Sequence, residues 1–292
     1  MLLFSKSNKK RLIFIRSSKP GFLEKPILDS RLITGVRFEK YNYKIIKCGK
    51  YIQVYHYAVS RFNSSLEQLD FDALHKSKKG RARVGSLSTE KKIENKNIIR
   101  AKLNCQRLAK ANVDSWKSFI TLTYKENMQD VAQAKLDFSY FVKNIRKVKK
   151  NFKYIVIPEF QKRGAIHFHF LSNLSLEDKD IIIKQKDNDK YYDVKYWSKG
   201  FSSFENVFGD CKKIVGYISK YMTKDDVDER LFNFRRFSSS QNLNKPIVEY
   251  VDLKNQHARN ELFKLIQNSE LIYTDTYLDP YENEVKFYEL CG

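Results

Sequence analysis

The sequence predicts an α+β fold with an antiparallel central sheet of the ferredoxin-like, split βαβ type, helices on one side of it, and a β-rich N-terminal extension. Two observations support the sheet. Between residues 116 and 224 the hydrophobic patterns follow the order strand, helix, two strands, helix-compatible stretch, strand and helix. The two central strands are joined by a tight turn, so we expect them to pair antiparallel. The extension is predicted from the alternating β-branched and aromatic positions in residues 1–75.

Composition limits the classes of protein that the chain can belong to. It has 292 residues, of which 42% are hydrophobic, enough to bury a sizeable core. Lys and Arg number 55 against 34 Asp and Glu, a formal net charge of +21. Such an excess favours a polyanionic partner, most often nucleic acid and less often an anionic membrane surface. The four cysteines are far apart and are expected to be free thiols in a reducing compartment.

No apolar run reaches the roughly 18 residues that a membrane helix needs, and the N-terminus lacks the cleavage site typical of a signal peptide. We therefore expect a cytoplasmic protein with no membrane partner. Within the N-terminal region, two alternating runs meet at Cys48-Gly49-Lys50 and predict a hairpin. The chain is divided into 1–75, β-rich and of unknown role; 76–112, a basic arm and helix; 113–245, the central domain; and 246–292, a C-terminal helix and acidic tail.

The basic arm concentrates the positive charge. Between Lys76 and Lys110 there are twelve Lys or Arg and two Glu, a local net charge of +10, and residues 89–111 are compatible with a helix. Two interpretations remain open, a solvated amphipathic helix or an arm that lies on phosphates. The candidates for DNA contact are Lys78, Lys79, Arg81 and Arg83 in this arm and Lys162 and Arg163 in the turn of the central domain.

The elements of the central domain follow in order. Residues 116–124 (WKSFITLTY) predict a strand, and 130–149 carry a helical apolar face. Two short strands come next, KYIVIPEF and AIHFHFL, joined by the turn Gln161-Lys162-Arg163-Gly164. A polar, helix-compatible stretch (176–186), a strand-and-turn region (191–207) and a helix (210–224) complete the domain. A further helix near 255–267 precedes the tail, whose net charge is −5 from Leu265 onwards.

His167 and His169 are two of only five histidines in the chain. On a strand, residues i and i+2 point to the same face, so the two imidazoles can grip one divalent metal. An isolated His-x-His is more often a pair of surface or core histidines. Glu159 ends the preceding strand, and hairpin pairing could bring its carboxylate to the histidines, although it could also be a solvated strand end. Two histidines and one carboxylate suit Mn²⁺ or Mg²⁺ in phosphodiester chemistry.

The predicted helix GYISKYMTK adds two candidate nucleophiles. Tyr217 and Tyr221 are four residues apart and therefore share a helical face. Each is followed three residues later by a lysine, Lys220 and Lys224, whose ammonium could favour the phenolate and offset charge in the transition state. The alternative is an amphipathic helix whose tyrosines are half in the core.

Taken together and in this order, FITLTY (119–124), AIHFHF (165–170) and YISKYMTK (217–224) resemble the three motifs of the HUH-type rolling-circle replication initiators in their two-tyrosine form. The similarity is greatest to replication proteins of small single-stranded DNA phages, of the gene A and gene II types, and to related plasmid initiators. It covers roughly residues 116–240. In this superfamily a tyrosine attacks a DNA phosphate with the aid of Mn²⁺ or Mg²⁺, and Glu159 matches the position of the additional metal-binding carboxylate.

The resemblance implies a metal-dependent, site-specific single-strand DNA endonuclease and ligase that starts and ends rolling-circle replication in a bacterial host cell. Its partners would be origin DNA, a host helicase and a host DNA polymerase. No Walker A motif occurs, so neither a fused helicase domain nor a nucleotide cofactor is expected. The alternatives are a mobilisation relaxase or single-strand transposase with the same chemistry, and a non-catalytic basic DNA-binding repressor. A relaxase usually has a third histidine in the second motif, which this chain lacks.

Overall fold

The computed structural model describes residues 38–64, 87–185, 188–207, 214, 216–217, 221–222 and 235–292. The chain divides into two units, 1–39 with 62–78 and 40–61 with 79–292, and nearly all the described residues belong to the second. Three α-helices lie entirely in the described ranges: α1 (Leu87–Lys110), α2 (Val131–Val148) and α3 (Gln256–Gln267). The described residues 214, 216–217 and 221–222 are also helical. None of the helices in these ranges is both long and apolar enough to cross a bilayer.

The central sheet has the predicted split βαβ arrangement. Its five strands are β3 (Ser118–Tyr124), β4 (Tyr154–Phe160), β5 (Ile166–Ser172), β8 (Gly200–Asn206) and β9 (Ser238–Ser239). They stand in the order β8-β3-β5-β4-β9, and every neighbouring pair is antiparallel. Strands β3 and β4, connected through α2, consequently run parallel to each other with β5 inserted between them.

Each face of this sheet has its own core. On one face α2 packs its buried residues, such as Phe138 and Ile145, against Ile120 and Phe168. Asp130 caps this helix by accepting hydrogen bonds from the first-turn N–H groups. On the other face the last turns of α1 and the buried residues of the segment 214–222 pack against the strands. The predicted fold class is confirmed, although helical residues pack on both faces of the sheet and not on one side only.

The connection from β5 to β8 differs from the prediction. In the stretch 176–186, expected to be helical, the described residues 176–185 form turns followed by β6 (Ile182–Gln185), which pairs antiparallel with β7 (Asn188–Val194). Ile181 and Ile182 are both buried in the core that α2 covers. Two adjacent buried β-branched residues fit an extended chain entering the core better than an amphipathic helix, and tertiary burial overrides the weak helical preference of this polar stretch.

A second sheet joins the two ends of the described chain. Its strands are β1 (Phe38–Cys48), β2 (Tyr51–Ser64), β10 (Ile247–Val251), β11 (Glu270–Leu278) and β12 (Glu284–Cys291). Their order is β10-β1-β2-β12-β11, and the predicted hairpin at Cys48 connects β1 to β2, with Gly49 at φ +62° in the turn. Helix α3 packs on this sheet through Leu262. Residues expected to form an acidic tail therefore supply two of its strands.

The C-terminal end of α1 connects the two sheets. Arg107 donates hydrogen bonds to the Gln53 side chain and to the Tyr55 hydroxyl, both at 2.8 Å. Lys110 forms an ion pair with Glu289 of β12. These two cations of the predicted basic arm are thus engaged within the molecule. The candidate DNA contacts Lys78, Lys79, Arg81 and Arg83 lie outside the described residues.

Candidate metal and nucleophile site

The two histidines occupy one face of β5, as the alternation predicts. Phe168, between them, points into the core that α2 covers, whereas His167 and His169 face the opposite side of the sheet. They are buried, with 8% and 6% of their surfaces exposed, and their rings are 5.9 Å apart between centroids. Burial on a strand limits the rotamers of both rings, which favours a fixed placement of their nitrogen atoms.

Glu159 is held beside His169. In the strand register Glu159 stands opposite His167, but its carboxylate reaches diagonally, and Oε2 lies 2.9 Å from His169 Nε2. On the other side of the same ring, His169 Nδ1 lies 3.0 Å from the hydroxyl of Thr121, the residue of β3 that pairs directly with His169. Both nitrogens of His169 therefore have polar partners, so the orientation of the ring is determined by the two neighbouring strands.

The three predicted ligands are thus neighbours, but they do not converge on a point. Within the described ranges no group of three or more His, Cys, Asp or Glu side chains is arranged to hold an ion. The chemistry of the donor set, two imidazoles and a carboxylate, suits a divalent cation. The 2.9 Å between Glu159 and His169 is also close to the roughly 3 Å that separates neighbouring ligands of an octahedral ion with bonds of about 2.1 Å. The chemistry of these residues is therefore compatible with a divalent ion, and Thr121 orients the His169 imidazole.

Tyr217 and Tyr221 both lie against this face of the sheet. The Tyr221 ring stacks on the His169 ring with 3.8 Å between centroids, and the Tyr217 ring stacks on Phe119 at 4.4 Å. Ile214 and Met222, one on either side of the two tyrosines in the sequence, are buried in the cluster on the same face. Their burial explains why Tyr217 and Tyr221 lie against this face.

Glu205 is a site residue that the sequence analysis did not identify. It lies on β8 opposite Phe119 of β3, and the Tyr217 hydroxyl donates a hydrogen bond to its carboxylate. Burial raises the pKa of Tyr217 above its usual value, and the hydrogen bond to Glu205 and its negative charge act in the same direction. The alternation in GFSSFEN, with Phe204 buried, places Glu205 on the face that carries the histidines. The sequence alone offers no means of aligning β8 with β3.

The remaining predicted residues have separate positions. Arg163 supports the turn between β4 and β5, since it donates to the Tyr124 carbonyl at 2.6 Å and to the Gln161 side chain at 2.9 Å. Lys162 in the same turn is exposed. Lys220 and Lys224 lie outside the described residues.

A comparison with protein families matches the part of the chain that contains this site. Residues 117–226 match the model of the family described as replication-associated protein ORF2/gene II protein. The matched range begins one residue before β3 and ends after Tyr221, and it covers fewer than half of the 292 residues. Searches of curated proteins and of solved structures found no match. The match supports a replication initiator, and with it DNA as a partner of the chain.

Proposed function

We propose that this chain nicks one strand of origin DNA through a tyrosine, forms a 5′-phosphotyrosyl intermediate, and rejoins the strand to end rolling-circle replication. The observation that carries the proposal is the stacking of Tyr221 on His169, which places a candidate nucleophile beside a candidate metal ligand. The match of residues 117–226 to a replication-associated family supports the same conclusion.

His167, His169 and Glu159 would hold Mn²⁺ or Mg²⁺. The bound ion would supply Lewis-acid polarisation of the scissile phosphate. The contact between the Thr121 hydroxyl and His169 Nδ1 orients the imidazole, so that His169 Nε2 faces Glu159. Because the side chains of His169 and Glu159 are largely buried, water would weaken their electrostatic interactions less than on an open surface.

The chain's own nucleophiles carry out the transfer. A tyrosine oxygen forms a bond to phosphorus, the bond from phosphorus to the 3′ oxygen breaks, and the phenol proton reaches that oxygen through solvent. The products are a 5′-phosphotyrosyl link and a free 3′-OH that a host polymerase can extend. Lys220 and Lys224 would offset the charge that develops on the phosphate. For rejoining, a 3′-OH attacks the phosphotyrosine, and the tyrosine oxygen leaves and takes up a proton.

DNA binding would come largely from phosphate contacts. The candidates are Lys162, which is exposed in the turn between β4 and β5, and the basic residues of the arm. The net charge of +21 favours binding of single-stranded or duplex DNA. Strand separation is assigned to a host helicase, since the sequence has no Walker A motif.

The decisive experiment detects the covalent adduct. The protein is incubated with Mn²⁺ and labelled, overlapping single-stranded oligonucleotides that together cover both strands of the replicon carrying its gene, and is then run on a denaturing gel. We expect one oligonucleotide to become attached to the wild-type protein and none to the Tyr217→Phe/Tyr221→Phe double variant. The double change removes both phenolic oxygens and keeps both rings for stacking.

Two results would contradict the proposal. If the double variant still became attached to the oligonucleotide, the nucleophile would lie elsewhere in the chain. If the wild-type protein bound the oligonucleotides without any covalent product, the non-catalytic repressor would be the better description.

A further inference from the structure

We propose that Tyr221 makes the first cut and that Glu205 holds Tyr217 back from it. This inference rests on the proposed function and deepens it. The spacing of the two tyrosines gives no order between them, and the match of Tyr217 to the single-tyrosine pattern slightly favours Tyr217 for the first cut, whereas the contacts in the structure favour Tyr221. Their contacts differ, and the difference follows from the rows of side chains across the sheet.

The first row contains the metal-site histidine. His169 pairs with Thr121 of β3, and Thr121 pairs with Ser203 of β8. Tyr221 lies over this row, with its ring stacked on His169 at an interplanar angle of 17°. A phosphate bound next to His169 would therefore have Tyr221 as its nearest phenol.

The second row lies two residues along each strand, about 7 Å away. It contains Leu171, Phe119 and Glu205, paired in that order across the sheet. Tyr217 is the tyrosine that lies nearer this row. Its ring stacks on Phe119 with 4.4 Å between centroids, against 5.6 Å for the Tyr221 ring, and its hydroxyl donates to Glu205. The Tyr217 oxygen is thus directed towards β8, on the side of β3 away from His169 and Glu159.

The hydrogen bond to Glu205 has two effects on Tyr217. It fixes the direction of the phenolic oxygen, and it favours the protonated phenol over the phenolate, which is the stronger nucleophile. To attack a phosphate beside His169, the Tyr217 oxygen must first leave Glu205 and move to the other side of β3. Glu205 lies on β8, which β3 separates from the strands that carry the proposed metal ligands, and it acts as a positioning residue.

The order of the two cuts follows from these contacts. In the first cut the Tyr221 oxygen bonds to phosphorus, the phosphorus–O3′ bond breaks, and the phenol proton reaches the released 3′ oxygen through solvent. Tyr217 leaves Glu205 and cuts the regenerated origin in the same way while Tyr221 still carries the first 5′ end. The second 3′-OH then attacks the Tyr221 link, and the phenol of Tyr221 is restored.

The test identifies which tyrosine carries DNA after a single turnover. Wild-type protein and the Glu205→Ala variant are each mixed with Mn²⁺ and with the oligonucleotide that becomes attached in the gel experiment. The reaction is stopped early, the protein is digested, and the DNA-linked peptide is identified by mass spectrometry. We expect nearly all the DNA on Tyr221 in the wild type. In Glu205→Ala we expect the ratio of Tyr217 to Tyr221 adducts to rise about tenfold, which corresponds to about 1.4 kcal/mol of lost restraint.

Controls separate this role from a loss of folding. Glu177→Ala removes an exposed carboxylate from a turn of the same domain and should leave the ratio unchanged. Glu205→Gln keeps the shape of the side chain and removes its charge, so it should also raise the ratio of Tyr217 to Tyr221 adducts. This variant replaces Glu205→Ala in the test if the alanine variant folds poorly. A general loss of structure would lower both adducts together without changing their ratio.

Two outcomes would overturn the inference and leave the proposed function intact. One is a wild-type adduct found mainly on Tyr217. The other is a ratio that stays the same in well-folded Glu205→Ala and Glu205→Gln. Absence of any adduct in the wild type would instead reject the proposed function itself.

Discussion

His169 illustrates how single side chains are fixed in this molecule, because its two ring nitrogens are engaged by residues from the strands on either side. The sequence could predict that His167 and His169 share a face, since this follows from the two-residue period of a strand. It could not predict that Glu159 would contact His169 diagonally and not its direct partner His167, because that depends on side-chain rotamers within the sheet.

Replacing either histidine tests the metal assignment. We expect His167→Ala and His169→Ala to lower the rate of adduct formation at least about 100-fold, since even residues that only hydrogen-bond to metal ligands contribute about 10–100-fold. Binding of Mn²⁺ should raise the Tm of the wild type but not the Tm of the His167→Ala/His169→Ala double variant. DNA affinity should stay within a few-fold, because phosphate contacts dominate it. His257→Ala, on the exposed side of α3, serves as the control. If His167→Ala or His169→Ala cut DNA at the wild-type rate, the replaced histidine would not be a metal ligand.

The cysteines give a prediction about pH. Burial raises the pKa of Cys48 to about 11, only partly opposed by Arg107 and Lys110. A raised pKa keeps the thiol protonated at neutral pH, and the reactive thiolate appears only as the pH approaches that value. Cys291, by contrast, is partly exposed.

Alkylation followed by peptide mass spectrometry measures the difference. At about pH 8 iodoacetamide should modify Cys291 at least about 10-fold faster than Cys48. The rate for Cys48 should rise as the pH is increased, provided that the protein remains folded. Equal rates at about pH 8 would show that Cys48 is not protected by the packing of α1 on β1.

At the scale of elements, the pairing of β8 with β3 is the contact on which Glu205 depends. Gly200 begins β8 opposite Tyr124, and a Cβ atom built there would lie 2.2 Å from the Thr123 carbonyl oxygen. Because that oxygen belongs to the backbone, β8 and β3 themselves would have to move apart to accommodate a side chain at position 200. Long periodic elements such as α1, α2 and α3 were predictable from local pattern, whereas the pairing partner of β8 and the strand β6 depended on tertiary packing that no local pattern encodes.

We therefore expect Gly200→Ala to be strongly destabilising. The free energy of unfolding should fall by about 1–3 kcal/mol or more, as for other overpacked sites, in urea denaturation followed by circular dichroism. Gly216→Ala is the matched control, since a Cβ atom there meets no atom within 4 Å, and alanine favours the helix by up to about 1 kcal/mol. Similar stability of the two variants would mean that β8 is not held against β3.

At the scale of the whole molecule, some of the positive side chains are engaged in contacts within the chain, whereas others lie outside the described residues. Arg107 and Lys110 form contacts within the chain, so the residues that remain for DNA are the more N-terminal ones of the arm. The two interpretations of this segment, solvated helix or phosphate-binding arm, stay open for Lys78, Lys79, Arg81 and Arg83. The sequence could give their charge, but the geometry of a phosphate contact depends on the DNA.

The salt dependence of binding distinguishes the two interpretations. Changing these four residues to Gln should reduce the slope of log affinity against log salt by about 0.7 for each contact to single-stranded DNA that is lost. The loss of affinity should be similar for all sequences, because phosphates carry no base identity. An unchanged slope would mean that the charges are merely solvated. A control of equal charge changes the exposed lysines Lys179, Lys245, Lys254 and Lys264.

The second sheet has a consequence for how the protein is made. The strands β3, β4, β5 and β8 of the central sheet are close in sequence and can pair soon after they emerge from the ribosome. Strand β2, in contrast, waits for β12, which is synthesised more than 200 residues later. Until then the β2 edge and Lys110 lack the partners that β12 supplies. The nascent chain would thus form its central sheet first and complete the second sheet only later, with an open strand edge in between that is prone to aggregation.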